Sequence, residues 1–471
     1  MPCKGQPLDG RLPYFLVYKQ QRRTTPPLPR MELYMSDTIE LEPAIMPLGH
    51  SPSAGRDVPF NNLVAFLGDS ITASGINNDA SNIRDTARGL NFWVPALTRQ
   101  AFQTHQGLNF GVSGDTTAGA LARVQDVIDS GAGTCVVLIG TNDIGTSLSS
   151  VKANLGGIYQ ALTDAGILTI AMPLLPRNVV TTNEYGWLNS INQWIRKQEA
   201  HFPCLRVIDA TQYFGDLTSL TYAPKPGFTY DGLHPMAIGA RYLAQPIADY
   251  LLTLRRPQSR QLQSITDHYW PTTNEGGYLN QNPAMSGTGG TVGAGISGLL
   301  ADGWNISCSE GGGDLSALNV IVSKITHPDT EAVAQRISYS GNVTGGWQTI
   351  ITLYDFGLTY QENLRAGDTI EFIVELDTPA ALPAVAGVVP FIQIQQAGNW
   401  KSSYAGSTFV SDDWTNDGFR GVLKTPPLTL THDLDTDENA RCDIWIYFKN
   451  VAHTGVSGTI DVLSAAVRKI V

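Results

Sequence analysis

Leu63-Val64-Ala65-Phe66-Leu67-Gly68-Asp69-Ser70-Ile71-Thr72 decides how this chain is read. Five consecutive apolar residues closed by glycine predict a central parallel strand buried on both faces, and ligands of open α/β sheets bind outside the carboxyl ends of such strands. Ser70 therefore stands where a nucleophile belongs. Gly-Asp-Ser alone also makes ordinary turns, with Asp69 capping the helix that follows. The reading sharpens with Asp231-Gly232-Leu233-His234-Pro235, about 160 residues further on. An Asp and a His three apart, stopped by proline, can put a carboxylate and an imidazole on one short loop, so that Ser, Asp and His follow in that order.

From 61 to about 255, apolar runs alternate with amphipathic segments. Strands are predicted at Leu63–Leu67, Leu108–Val112, Cys135–Ile139, Leu168–Leu175 and Leu205–Ile208, and helices at Thr117–Ile128, Leu188–Glu199 and Ala237–Leu254, the last ended by Arg255-Arg256-Pro257. Strand followed by helix, repeated, predicts a parallel sheet covered on both faces. After 258 the texture changes to short alternating runs, among them Asn319–Ile325, Gln335–Tyr339, Thr349–Leu353, Thr369–Leu376, Phe391–Gln395, Asp443–Phe448 and Thr459–Leu463. These predict an antiparallel sandwich resembling a jelly roll. The expected division is a basic, proline-rich disordered tail at 1–35, a lead-in at 36–60, a catalytic domain at 61–257, a linker at 258–300 and the sandwich at 301–471. The first 30 residues hold six prolines and six Lys/Arg against one Asp, too polar a mixture to order itself. Met31 and Met35 follow as alternative starts.

Two further strand ends supply what a serine hydrolase needs. Asn109-Phe110-Gly111-Val112-Ser113-Gly114-Asp115-Thr116-Thr117 passes through two glycines into the next helix, exposing a backbone N–H. Ile139-Gly140-Thr141-Asn142-Asp143 offers the Asn142 carboxamide. Ser70, the Gly114 N–H and Asn142 are thus candidates to hold a tetrahedral oxyanion.

Together these blocks resemble the SGNH/GDSL hydrolase superfamily, whose four signature elements match Gly-Asp-Ser, the glycine of Ser-Gly-Asp-Thr-Thr, the asparagine of Gly-Thr-Asn-Asp and Asp-x-x-His. The resemblance covers about 61–255. It implies a three-layer αβα, flavodoxin-like fold and metal-free ester hydrolysis through an acyl-enzyme, without a cofactor. Carried onto this chain, it implies Ser70 as nucleophile, His234 as general base and then acid, and Asp231 orienting His234. The oxyanion hole would be the Ser70 and Gly114 N–H groups with Asn142. No Gly-x-Ser-x-Gly elbow occurs, which argues against an ordinary α/β-hydrolase.

Composition excludes other classes. The chain has 471 residues, 42% of them hydrophobic, and a net charge of −11 without a Lys/Arg cluster beyond the N-terminus, which argues against a nucleic-acid partner. Its five cysteines form no Cys-x-x-Cys pair, so neither a zinc site nor a disulfide framework is encoded. No apolar stretch reaches the ~18 residues of a spanning helix, and Tyr14–Tyr18 is too short for a signal-peptide core. The expected location is cytoplasmic, or outside the cell by release or within a virion. His50, His105, His201, His268, His327, His432 and His453 have no partner that sequence identifies. Asp433–Glu438 lacks the glycine and glutamate of a calcium loop and reads as a solvated acidic turn.

The connection from Ala73 to about Asn91 is long and polar, and a loop of that kind beside a nucleophile shapes substrate access. With it, Asp69, Asn77 and Arg84 become candidates for binding the hydroxyls of a sugar. Six of the nine tryptophans follow residue 258. Trp400 and Trp414 lie in polar segments read as loops, and as exposed aromatics they would stack on sugar faces. The C-terminal module loosely resembles carbohydrate-binding sandwiches. The expectation is an O-acetyl esterase acting on a carbohydrate or polysaccharide. Two other classes stay open: a lipase, thioesterase or arylesterase with a structural β-domain, and a glycan-binding attachment protein such as a phage tail component.

Overall fold

A computed structural model describes residues 61–470 apart from 79–81, 179–180, 220–221, 258–266, 347–348, 357, 359–363, 397, 407–408, 410 and 435–439, all within one compact unit. The tail and lead-in expected at 1–60, and most of the acidic turn Asp433–Glu438, lie outside the described residues. The first half runs β1 (Val64–Gly68), α1 (Ser70–Ala73), β2 (Ile76–Asn78), β3 (Asn82–Asp85), α2 (Leu90–Leu97), β4 (Asn109–Gly111), α3 (Thr117–Ala122), α4 (Val124–Asp129), β5 (Thr134–Leu138), α5 (Leu148–Asp164), β6 (Leu168–Ala171), α6 (Thr182–Ile195), β7 (Leu205–Val207), α7 (Thr211–Phe214) and α8 (Ala237–Leu254).

Five of these strands form a parallel sheet in the order β4-β1-β5-β6-β7. Counted within the sheet this is the order 2-1-3-4-5 of doubly wound, flavodoxin-like folds, with its switch point between β1 and β5. Alternation along each strand decides which layer a side chain joins. Val64 and Phe66 of β1 and Val136 and Leu138 of β5 enter the layer of α2 and α8. Ala65, Leu67, Cys135 and Val137 enter the layer of α3 to α6. The stretch predicted as one helix at Thr117–Ile128 is two, broken at Arg123 (φ −117°). Its side chain turns inward there to bond the ends of two strands, as described below.

The second half is all β: β8 (Gly289–Val292), β9 (Ile296–Gly298), β10 (Leu300–Ser309), β11 (Leu318–Thr326), β12 (Val333–Thr344), β13 (Ile350–Phe356), β14 (Thr369–Thr378), β15 (Val385–Gln396), β16 (Asn399–Ala405), β17 (Phe419–Lys424), β18 (Leu428–Thr429), β19 (Ala440–Phe448) and β20 (Ala452–Lys469). One sheet runs β2-β3-β16-β15-β19-β13-β10-β8, the other β17-β14-β20-β12-β11-β9 with β18 on β14. Inward residues of both are fully buried, among them Ile351, Leu353, Ile444 and Ile446 of the first and Phe372, Val374, Ile460 and Val462 of the second. The segment read as linker at 258–300 therefore contributes β8 and β9.

The reading of 73–91 as an access loop is corrected in the same way. Strands β2 and β3 pair antiparallel as a hairpin whose second strand pairs in parallel with β16, Ser403 opposite Ile83 and Ala405 opposite Asp85. The sandwich is thus extended by two strands from the α/β half. Helix α2 is buried along its whole length. Its Trp93 lies 5.0 Å from Trp414 and 5.6 Å from Phe419, ring centre to ring centre. Gln100 Nε2 donates to the Val422 carbonyl at 3.0 Å, and Arg241 of α8 pairs with Asp417 and donates to the Gly418 carbonyl. A single apolar cluster runs from β1 and α8 through these rings into both sheets. Boundaries at 257 and 301 accordingly do not separate two cores.

Trp414 is corrected with them: expected on the surface, it is 0% exposed. The acids that made its neighbourhood read as polar each meet a cation, Asp412 with Arg88 and Asp413 with Lys449, which lets the indole enter the core. Trp400, 38% exposed, lies on β16 rather than in a loop. Among the described residues no helix is long and apolar enough to cross a membrane.

Burial also fixes a pH dependence. Asp355 of β13 points between the sheets opposite Cys442, 5% exposed, and among the described residues its Oδ2 has no partner. Desolvation pushes its carboxyl up to about 7, against a pull-down from a backbone bond at Gln281. The folded state therefore holds this proton between about pH 4 and 7 where the unfolded chain has lost it. Its stabilising share is full below the unfolded value and is lost as pH rises through about 7. Asp355→Asn should gain on the native chain in urea midpoint between pH 5 and pH 8, and a difference that stays constant over that range would contradict the burial of this carboxyl.

Candidate active site

The strand ends predicted to converge do so, and the close approach explains their glycines. A Cβ on Gly68 would lie 2.5 Å from the Leu138 carbonyl and collide with Thr72 Oγ1, and one on Gly111 would lie 2.2 Å from the Ala73 N. Only glycine lets α1 turn this tightly between β4 and β5. Asp69 is the N-cap of α1, its Oδ1 accepting the Ile71 N–H at 2.9 Å. It is 1% exposed, so it lies beneath Ser70 and is not available to a substrate hydroxyl. Burial, the largest influence, pushes its carboxyl up to about 6, while the Ile71 N–H and the nearby His234 draw it down.

Ser70 opens α1. His234 Nε2 lies 2.8 Å from Ser70 Oγ, and His234 Nδ1 lies 2.6 Å from Asp231 Oδ2. The loop holds itself in shape. Asp231 Oδ1 accepts the Leu233 N–H at 3.0 Å and the His234 N–H at 2.7 Å, with Gly232 at φ +86° between them. A Cβ there would also meet Asn178 at 2.7 Å. Burial pushes the Asp231 carboxyl up, but the bonds from the His234 ring, the His234 N–H and the Leu233 N–H outweigh it, holding the group below the usual carboxylate range. It is thus an anion aimed at the imidazole Nδ1–H.

Gly114 sits at φ +77° in the turn closed by Asp115 N–H to the Val112 carbonyl. The Ser70 N–H belongs to the first turn of its helix, where no intrahelical acceptor exists. Asn142 is exposed on the turn after β5, and its Nδ2 donates to the Asp115 carbonyl at 2.8 Å, which fixes the amide and leaves its second N–H. An open cleft of about 420 Å³ over Ser70 is lined by Ser70, Ala73, Ser74, Ser113, Tyr230 and His234. Asn77 and Arg84 oppose each other in the β2–β3 hairpin, and their side chains lie outside the described residues. Trp414 belongs to the shared core.

Sequence reasoning missed the groups that brace this rim. Arg123 donates to the Gly68 carbonyl at 2.9 Å and to the Phe110 carbonyl, and pairs with Asp115 at 2.6 Å, tying the ends of β1 and β4 to the Gly114 turn. Asp143, 5% exposed, accepts the Thr117 N–H and hydroxyl at 2.9 Å, joining the Asn142 turn to α3. Both acids stand directly beside motif residues, which was the available signal. In the sandwich, His327 also finds a partner, its Nε2 lying 2.9 Å from Asp377, while Asp329 pairs with Arg420.

Residues 66–242 match the GDSL-like Lipase/Acylhydrolase family. Comparison with curated proteins gives no significant match. Among solved structures the chain is similar to a GDSL-like lipase from Bacteroides thetaiotaomicron, at 19% identity over 40% of this chain and 86% of that one, TM-score 0.30. It is similar to an acetyl xylan esterase, at 19% over 40% and 99%, TM-score 0.31. A third is a variant of an acetyl-xylooligosaccharide esterase from Geobacillus Stearmophilus, at 17% over 40% and 93%, TM-score 0.33.

Proposed function

We propose that this chain, which carries a GDSL-like lipase/acylhydrolase domain at 66–242, is a serine esterase that removes short acyl groups, acetyl above all, from a carbohydrate. The observation that carries the reading is the relay of 2.8 and 2.6 Å from Ser70 through His234 to Asp231. Ser70 Oγ attacks the ester carbonyl while His234 Nε2 takes its proton, and Asp231 holds the ring in the tautomer that can accept it. The carbonyl oxygen, now an anion, meets the N–H groups of Ser70 and Gly114 and the Asn142 carboxamide. Collapse breaks the C–O bond, His234 returns its proton to the departing sugar oxygen, and water repeats the cycle on the acyl-serine.

The preference for a short acyl group rests on the lining of the cleft. Ala73, Ser74 and Ser113 are small, and among the described residues that line it no long aliphatic side chain stands to accompany a fatty chain. For a glycan at the sandwich the support is an aromatic cluster on the outer face of the eight-stranded sheet, where Tyr404 and Trp445 are half-buried around Phe391. Acetate release from a panel of acetylated polysaccharides, set against p-nitrophenyl esters of two to twelve carbons, tests the reading. Release from at least one polymer and a fall in rate beyond about four carbons are expected; a preference for long chains without acetate release would favour a lipase.

Asn142→Ala should lower kcat about 10²- to 10³-fold with KM little changed, because the lost donor acts on charge present only in the transition state. A raised KM with kcat intact would make Asn142 a ground-state binding group.

A further inference from the structure

The imidazole of His234 stacks on Tyr230, whose ring in turn packs on a guanidinium held by the sandwich. Tyr230 lies against it, ring centres 5.6 Å apart and planes 14° from parallel. The Arg88 guanidinium also packs on Tyr230, its carbon 4.7 Å from the Tyr230 ring centre and 3.9 Å from that of Phe409. Arg88 is gripped edge-on by the carboxylate of Asp412, with Nε at 3.1 and 3.2 Å and Nη2 at 2.6 Å. Asp412 is fully buried, and its N–H closes a turn on the Phe409 carbonyl at 3.0 Å. Phe409 and Asp412 belong to the sandwich half of the chain, while Arg88 and Tyr230 belong to the α/β half.

We propose that Tyr230 and Arg88 are positioning residues for His234, and that the sandwich, through Asp412 and Phe409, completes the active site. The inference rests on the reading of His234 as the base. The bond from Nδ1 to Asp231 fixes one point of the imidazole and leaves the ring free to swing about that axis, carrying Nε2 away from Ser70 Oγ. A flat group against its face removes the swing. The same face is favourable to the imidazolium that forms during attack, since cations are attracted to the π faces of aromatic rings. Tyr230 could not hold its own tilt, being about half exposed; the Arg88 guanidinium packed on its ring, fixed by a bidentate carboxylate, supplies the support. Displacements well under an ångström at the reacting atoms are enough to matter, because a misplacement of about 1 Å can cost about 10²-fold in rate.

The test uses the full chain with p-nitrophenyl acetate. Tyr230→Leu should lower kcat about 10- to 100-fold with KM and thermal midpoint unchanged, and Tyr230→Phe should stay within about twofold of the native rate. Arg88→Met should lower kcat in the same sense, and Arg88→Met added to Tyr230→Leu should cost little more, because the two act through one contact. Tyr230→Leu, at a half-exposed position, keeps the test open if Arg88→Met fails to fold with Asp412 left unpaired. A Tyr230→Leu chain with native kcat, or with only KM raised, overturns the proposal while Ser70→Ala and His234→Ala remain inactive. Native rates in those two variants would instead sink the reading of the base, and the proposal with it.

Discussion

Ser70→Ala and His234→Ala are each expected to lower kcat on p-nitrophenyl acetate by about 10³-fold or more, leaving the thermal midpoint close to native. Removing either member of a nucleophile–base pair disables the same proton transfer, so the double variant should be scarcely slower than either single one. Folding is spared because Ser70 and His234 meet at an open cleft and their side chains hydrogen-bond each other and Asp231. Asp231→Asn should fall between, since it keeps the geometry but favours the tautomer that cannot accept the Ser70 proton. If Ser70→Ala retained a tenth of the native rate, the nucleophile would have to be sought elsewhere.

A fragment ending at Leu254 is expected not to fold. It would strip the partners from Trp93, which packs on Trp414 and Phe419, from Gln100 and Arg241, and from β3, which pairs with β16. Truncating one buried Trp or Phe to alanine costs about 3–5 kcal/mol, and a whole domain is stable by only about 5–15 kcal/mol. Loss of several such contacts together exceeds that margin. The measurement is near-ultraviolet circular dichroism with urea unfolding of residues 61–254. A flat spectrum without a cooperative transition is expected. A cooperative transition, with turnover within tenfold of the full chain, would show that the α/β half is independent.

The loops proposed to be catalytic were legible in the sequence because each is local. Gly68-Asp69-Ser70 closes a five-residue apolar strand, and Asp231 and His234 lie within one turn of each other, so short-range pattern carries them. Even Ala237–Leu254 matches its predicted bounds, set by apolar spacing and Arg255-Arg256-Pro257. What could not be read depends on pairing across hundreds of residues. Nothing near Arg88 announces Asp412, 324 positions away, and without that pair Trp414 reads as the aromatic of a polar loop. The β2–β3 hairpin was obscured for the same reason: its strands are three and four residues long, and β3 finds its partner in β16. Asp69 had a local reading as a helix cap, and its burial beneath Ser70 removes the substrate role.

The most direct test of a serine esterase is covalent. A fluorophosphonate ester should phosphonylate one residue, found by mass spectrometry on the peptide that holds Ser70, with turnover lost in step with labelling. Ser70→Ala should take no label, and His234→Ala should take it far more slowly. A label on another residue, or full turnover in a chain labelled at Ser70, would contradict the account.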